Sequence, residues 1–244
     1  MSTDCPTPLD ALEKTLPRAS YLDGAEFERE YAAIFESGWV CVGRRDALTE
    51  PGDYLAIRLN LQSIFIVACD DGALNAFYNV CRHRGTELVP LEEPGPVIGR
   101  FSSSIVCPYH AWSYHLDGRL RGTPHLAVDT DNVSLHGIAL TEWGGFIFIR
   151  IDAAADESLT SALGAGTERL QRYPLADLRV GDRITYEVAA NWKVIVENYN
   201  ECYHCAPAHP ESRRTHPTHL SADRVEPFNL AMEERARGLG IPTD

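Results

Sequence analysis

No apolar run in this 244-residue chain approaches the ~20 residues that a membrane-spanning helix needs, and residues 1–6 lack the basic stretch and apolar core of a secretory leader. A cytoplasmic protein with no membrane attachment is expected. Positive charge is also scarce. Against 35 Asp and Glu there are only 22 Lys and Arg, a formal net charge of -13, and no basic face dominates, which excludes nucleic acid as a partner. Small molecules and proteins remain. Internal repeats and low-complexity tracts are absent. An even cysteine count is missing too: seven Cys suit a reducing compartment better than a closed disulfide framework.

What is present suffices for real cores. The chain is 44% hydrophobic and long enough for one large or two small domains. Residues 1–20 are Pro-rich and weakly patterned, an extended arm. Over 23–37, Phe27, Tyr31, Ile34 and Phe35 recur at helical spacing with Gly38 beyond the end, which predicts an amphipathic helix. The period then shortens. Runs at 39–43, 54–59, 63–68 and 73–80 read as strands, with Asp70-Asp71-Gly72 as a tight hairpin turn, and 111–115 and 146–151 continue the pattern. Residues 38–152 thus read as a small antiparallel β domain between an N-terminal segment, 1–37, and a third segment, 153–244. In the third, helices are predicted at 159–172, 191–205 (stopped by Pro207) and 228–237, with a strand at 183–188. Glu92-Glu93-Pro94-Gly95-Pro96 reads as a surface loop.

Two stretches of the β domain carry chemistry: Cys81-Arg82-His83-Arg84-Gly85 and Cys107-Pro108-Tyr109-His110. Each offers one thiolate and one imidazole. In extended chain Cys81 and His83 point the same way, Gly85 permits a sharp turn after them, and Pro108 stiffens the second loop. Two Cys and two His in mixed pairs suit a Rieske-type [2Fe-2S] centre, in which imidazoles replace two thiolates on one iron and make the cluster easier to reduce. The same four residues could hold a tetrahedral zinc ion or be unrelated positions. Zinc fingers, however, usually pair Cys with Cys and His with His around a helix, whereas here each arm is mixed and lies among strands.

Further on, Asn198-Tyr199-Asn200-Glu201-Cys202-Tyr203-His204-Cys205-Ala206-Pro207-Ala208-His209 gathers a carboxylate and two imidazoles near a helix end. Glu201 and His204 share a helix face, and His209 joins them if the helix unwinds near Pro207. Two His and one carboxylate with open positions form the facial triad of non-haem Fe(II) oxygenases. Glu201 is either the third ligand or an acid that orients His204. Cys202-x-x-Cys205 alone would suit zinc or thiol chemistry, and His115, His125 and His136 lie outside both motifs and read as structural. His216 and His219 read as part of a solvated tail.

With both constellations in view, the chain resembles the α subunits of Rieske non-haem iron oxygenases, the ring-hydroxylating oxygenases. Cys81-Arg82-His83-Arg84-Gly85, Cys107-Pro108-Tyr109-His110-Ala111-Trp112, Trp143-Gly144-Gly145-Phe146, Asn191-Trp192-Lys193 and the His204/His209 pair carry the likeness. It implies an α+β fold: an antiparallel β Rieske [2Fe-2S] domain, then an incomplete, helix-grip-like α+β catalytic domain on which the N-terminal helix packs. It implies Cys81, His83, Cys107 and His110 on the cluster, His204 and His209 on a mononuclear Fe(II), and Glu201 as the bridge from His204 to His110 of a neighbouring copy in a homotrimer. Electrons would come from NAD(P)H through a reductase or ferredoxin, and O2 and a small substrate would meet at the iron. Glu201 within Glu-Cys-Tyr-His-Cys resembles the branch that oxidises quaternary ammonium compounds such as carnitine, glycine betaine or choline. Family catalytic domains continue well beyond the His pair, so the chain resembles a truncated α subunit. Two functions follow: a terminal mono- or dioxygenase component, or an electron-transfer Rieske protein or inactive truncated oxygenase without a working mononuclear site. Arg44, Arg45, Arg82 and Arg84 are expected to help dock an acidic reductase.

Overall fold

The computed structural model describes residues 14–240 except 92–94, 125, 127–129, 131, 153, 155, 202–203, 210 and 212–221. Cys5, Cys202, His125, His216 and His219, and most of the loop at 92–96, therefore lie outside the described residues. The chain packs as two units, one of residues 24–187 and one of residues 1–23 with 188–244.

The larger unit starts with helix. A short helix, α1 (Ala19–Leu22), belongs to the other unit; α2 (Gly24–Glu30) follows and widens into a π-type turn, Tyr31–Glu36. Phe27, Tyr31 and Phe35, four apart, stack their rings in a column, and the Tyr31 hydroxyl donates to the Leu59 carbonyl at 2.8 Å. This is the apolar face anticipated over 23–37.

Ten strands follow: β1 (Val40–Arg44), β2 (Asp53–Leu59), β3 (Gln62–Ala68), β4 (Leu74–Tyr78), β5 (Val97–Arg100), β6 (Ile105–Val106), β7 (Ser113–Tyr114), β8 (Leu120–Gly122), β9 (Gly137–Trp143) and β10 (Phe146–Arg150). Seven form an antiparallel sheet in the order β1-β10-β9-β4-β3-β2-β5, and β6, β7 and β8 form a second, smaller one. The central strand explains the sequence pattern. Phe65 and Val67 of β3 enter one core with Ile105, Tyr114 and Leu120 of the small sheet, while Ile64, Ile66 and Ala68 enter another with Ile147 and Ile149 of β10. A strand buried on both faces must be apolar at every step. Each such side chain contributes about 1.5–3 kcal/mol. Between β3 and β4 the hairpin closes with Gly72 at φ 82, where a side chain would be strained.

After β10 the expected helix at 159–172 appears as two pieces, α3 (Leu159–Leu163) and α4 (Gly166–Leu170), because Gly164 and Gly166 interrupt it. The predicted strand at 183–188 does not form. A strand needs a neighbour for its backbone groups, and among the described residues none pairs with it; Ile184 and Tyr186 are 69% and 77% exposed.

The regular elements described in the other unit are all helices: α1, α5 (Trp192–Asn200), α6 (Cys205–Ala208) and α7 (Ala222–Gly238). Asn191 caps α5 by accepting from the Lys193 N–H, and Tyr21 of the N-terminal segment donates to Glu197 Oε1 at 2.7 Å. The last helix starts six residues earlier than the 228–237 pattern indicated and carries Pro227 within it. No described helix is long and apolar enough to cross a membrane.

Candidate functional site

The first site sits in the larger unit, where two arms leave the sheets. The first arm, 81–86, follows β4. Its Cys81 N–H donates to the Thr86 carbonyl (2.8 Å), and the Gly85 N–H donates back to the Cys81 carbonyl (3.0 Å), with Gly85 at φ 75. The second arm, 107–112, repeats this frame. Cys107 N–H donates to the Trp112 carbonyl (2.8 Å), Ala111 N–H donates to the Cys107 carbonyl (3.1 Å), and Ala111 stands at φ 57. Each turn folds its histidine out beyond its cysteine.

Asn79, just before the first arm, is buried and fully engaged. Its amide donates to Ser63 Oγ and the Val89 carbonyl, and its Oδ1 accepts from the N–H groups of Leu88 and Val89. This ties the far end of the loop to β4, so Cys81 leaves a rigid base.

The four donors are disposed as two pairs. Cys81 and Cys107, each 3% exposed, are free thiols near enough for Cys107 to raise the Cys81 pKa. His83 and His110 are exposed, with ring centroids 4.8 Å apart. Burial pushes the Cys81 thiol up, against hydrogen bonds from Tyr114 and the His83 backbone, and the neighbouring Cys107 adds to the rise. Two buried sulfurs side by side favour deprotonation only with positive charge between them, which a metal supplies. Among the described residues no three Cys, His, Asp or Glu side chains converge on one point. Two thiols beside two imidazoles match the two-plus-two division of a two-iron centre. The residues present therefore fit a [2Fe-2S] group.

Aromatic rings frame the site. Trp112 stacks on His83 with centroids 4.7 Å apart and planes 11° from parallel, and Tyr109 lies against His110. His83, His110, Ala111, Trp112, Pro124 and Leu126 line a cavity of about 470 Å3. Tyr114, fully buried on β7, brings its hydroxyl to 3.1 Å from Cys81 Sγ, and burial first and the Cys81 thiol second raise its phenol well above the ordinary range. Neither Asn79 nor Tyr114 was singled out from the sequence. Their only local signals were a polar residue ending an apolar run and an aromatic residue seven after Cys107.

The arginines expected at a docking surface divide. Arg44 turns inward, donating to the Leu175 and Leu178 carbonyls beside Asp46, and Arg45 reaches the Gly72 carbonyl and Glu142. Both secure the fold, because chain that returns past β1 needs donors for its carbonyls. Arg82 donates to the Ser134 carbonyl and meets His136 Nδ1, which accords with a structural His136; Arg84 is exposed.

The second site lies in the other unit, where α5 ends. Expected to run to Cys205, that helix stops at Asn200, and Glu201 is its C-cap with an extended backbone. The Glu201 carboxylate accepts from the His204 N–H at 3.1 Å and meets His204 Nδ1 at 2.8 Å. Helix resumes in α6, which includes Pro207 within its four residues, where proline is tolerated in a first turn. One turn between His204 and His209 brings their rings to 5.5 Å. With Nδ1 turned to Glu201, His204 keeps Nε2 for a metal, the usual arrangement of a ligating histidine. Glu201 thus contacts His204 through both the backbone N–H and the ring nitrogen. The acids that follow in the chain, Glu211, Asp223, Glu226, Glu233 and Glu234, are exposed.

Comparison with known proteins matches a Rieske [2Fe-2S] domain over residues 38–136 and a ring hydroxylating alpha subunit (catalytic domain) over residues 175–238. The chain is 40% identical over 202 residues to the carnitine monooxygenase oxygenase subunit of Acinetobacter baumannii, covering 80% of this chain and 53% of that protein. It is 35% identical to the glycine betaine monooxygenase oxygenase subunit of Chromohalobacter salexigens, covering 82% and 44%. Among solved structures, the quaternary ammonium Rieske monooxygenase CntA in complex with L-carnitine superposes with a TM-score of 0.74 at 38% identity, covering 83% of this chain and 57% of that one. The chain spans about half the length of the curated relatives it matches.

Proposed function

Because the chain belongs to the α subunits of Rieske non-haem iron oxygenases, within their quaternary ammonium branch, we propose that it acts as the terminal oxygenase component of a monooxygenase acting on a small quaternary ammonium compound of the carnitine or glycine betaine class. Residues 38–152 are its cluster domain and 153–244 part of its catalytic domain. Cys81, His83, Cys107 and His110 are the cluster ligands, and His204 and His209 hold the mononuclear Fe(II). When bound, these groups supply one-electron storage and dioxygen activation. The chain's own residues do the rest. Cys81 and Cys107 offer buried thiolates, His83 and His110 bring the redox centre to the surface, and Glu201 holds His204 in one tautomer. Glu201 also serves as the polar contact through which a neighbouring copy's cluster domain is coupled in a homotrimer. A reductase or ferredoxin delivers the electrons from NAD(P)H, and the surface imidazoles are where it docks.

One observation carries this reading: a buried thiol pair beside an imidazole pair occurs in the same chain as a Glu201-oriented His204 facing His209. Iron analysis tests it. About three irons per chain fit the oxygenase, and about two fit an electron carrier. With a reductase, dioxygen uptake should rise with L-carnitine or glycine betaine and not with naphthalene; uptake with the aromatic alone would refute the substrate class.

A second reading, an electron-transfer Rieske protein, draws on the difference between the sites. At the first, Cys81 and Cys107 are each 3% exposed, whereas at the second the side chains of His204 and Glu201 are 29% and 50% exposed. An iron count of about two, with a reversible EPR signal and no substrate-dependent uptake, would establish it.

A further inference from the structure

One stretch of the larger unit has the pattern of a strand and lacks only a neighbour. From 181 to 190 every residue is exposed, Ile184 by 69% and Tyr186 by 77%. Among the described residues, the backbone N–H and C=O groups of 184–187 have no hydrogen-bond partner, and neither Arg183 nor Glu187 is in an ion pair. Thr185 faces Gly95, and Arg183 and Glu187 line a cavity of about 530 Å3 with Val40, Ile57 and Pro96. One face of the segment, 183, 185 and 187, is therefore turned to its own unit, while Ile184 and Tyr186 stand on the other.

We propose that residues 183–187 are a contact between two copies of this chain, which pair antiparallel about Thr185. In that register Arg183 meets the partner's Glu187 and Glu187 meets the partner's Arg183. Ile184 lies opposite Tyr186 at both ends, and Thr185 lies opposite itself. Opposite charges, an aromatic against a β-branched side chain, and Thr against Thr are all cross-strand pairs that stabilise a sheet. The segment is thus complementary to itself, as a two-fold interface requires, because the same patch serves both subunits. A slip of one residue would set Ile184 against Glu187, so the pattern fixes the register. With 184 and 186 as the hydrogen-bonded positions, each copy donates two N–H groups and accepts with two carbonyls, satisfying backbone groups that a single copy leaves open. An edge built to repel other strands carries charge of one sign; here opposite signs, four residues apart, select a second copy of the same edge. Being two-fold and remote from Glu201 in sequence, the pairing doubles whatever assembly the chain otherwise forms.

Light scattering on the intact chain over a range of concentrations tests it. The number of copies per particle should double as concentration rises. Arg183→Glu sets acid against acid at both ends of the ribbon, Glu187→Arg sets base against base, and each should raise the concentration needed for doubling about tenfold. Both substitutions in one chain restore the opposite charges and should restore the parental value. Mixing the two single variants should do the same by forming a mixed pair. All of these side chains are exposed, so circular dichroism should not change. A copy number independent of concentration, single variants that double as readily as the parent, or a double swap as weak as either single would each overturn the proposal. Slow amide exchange at 184–187 in a chain that never doubles would assign this edge to another segment of the same chain, and would overturn it as well.

Discussion

The first arm, 81–86, and the second, 107–112, share a pair of backbone hydrogen bonds closed around a left-handed residue four after the cysteine, but that residue is Gly85 in one and Ala111 in the other. Their motifs differ as well, C-x-H against C-x-x-H, so the histidine sits at a different step of the same turn. The anchors differ most. Asn79 nails down the first arm with uncharged, buried hydrogen bonds. The second follows β6 directly, and the strand before that, β5, is held by Arg100 paired with Asp53 of β2 across a partly exposed edge. The comparison teaches that the turn holds the ligands and the flanking sheet decides how firmly.

The comparison can be broken most completely at the sulfurs. Cys81→Ser and Cys107→Ser should each lose the cluster, lowering the iron content by about two per chain; retention of the visible spectrum by either would make the arms unequal in ligation. Next comes the anchor. Asn79→Ala strands the N–H groups of Leu88 and Val89 in the core and should destabilise the fold by about 2–4 kcal/mol, read as a shift in denaturant midpoint.

Smaller and of opposite sign are the changes at the left-handed positions. Gly85→Ala meets no atom closer than Val80 Cγ2 at 4.0 Å, so only its φ is strained, and a loss of about 0.5–1 kcal/mol is expected. Ala111→Gly should gain a similar amount, and thermal midpoints that moved the same way in both would show the frames are not equivalent.

The slightest effect concerns acid. The Arg100 guanidinium first, and the Glu50 and Thr49 N–H groups, hold the Asp53 carboxyl below its ordinary value despite opposing desolvation. A carboxyl depressed on folding contributes stability that is present above its unfolded pKa and disappears as pH falls through its folded one. With Arg100 largely exposed, solvent screening keeps the contribution small. Amide exchange at 97–106 should therefore quicken with acid before exchange at 79–89 does. Simultaneous loss of protection would show that Asp53 does not distinguish the arms.

The parts legible in the sequence were those governed by near neighbours. Phe27, Tyr31 and Phe35 announced their helix by spacing, and β3 its burial by an unbroken apolar run. Reading 159–172 as one helix gave too little weight to Gly164 and Gly166. The strand at 183–188 has the right alternation but no partner among the described residues, and alternation cannot supply one. Near Glu201 the mistake was to place the break at Pro207. The carboxylate of Glu201 competes for the His204 backbone N–H and ends α5 sooner.

By itself the sequence determined the donor sets, two thiols with two imidazoles and two imidazoles with one acid, because side-chain chemistry and short spacings belong to a few adjacent residues. It determined the alternation that makes β sheets for the same reason. Only the tertiary structure decided that the cysteines are buried and the histidines exposed, that Arg44 turns inward, and that Asn79 and Tyr114 bond to the first arm and its far end. Each of those outcomes depends on residues far apart in the chain, and only the packing of the two sheets brings them together.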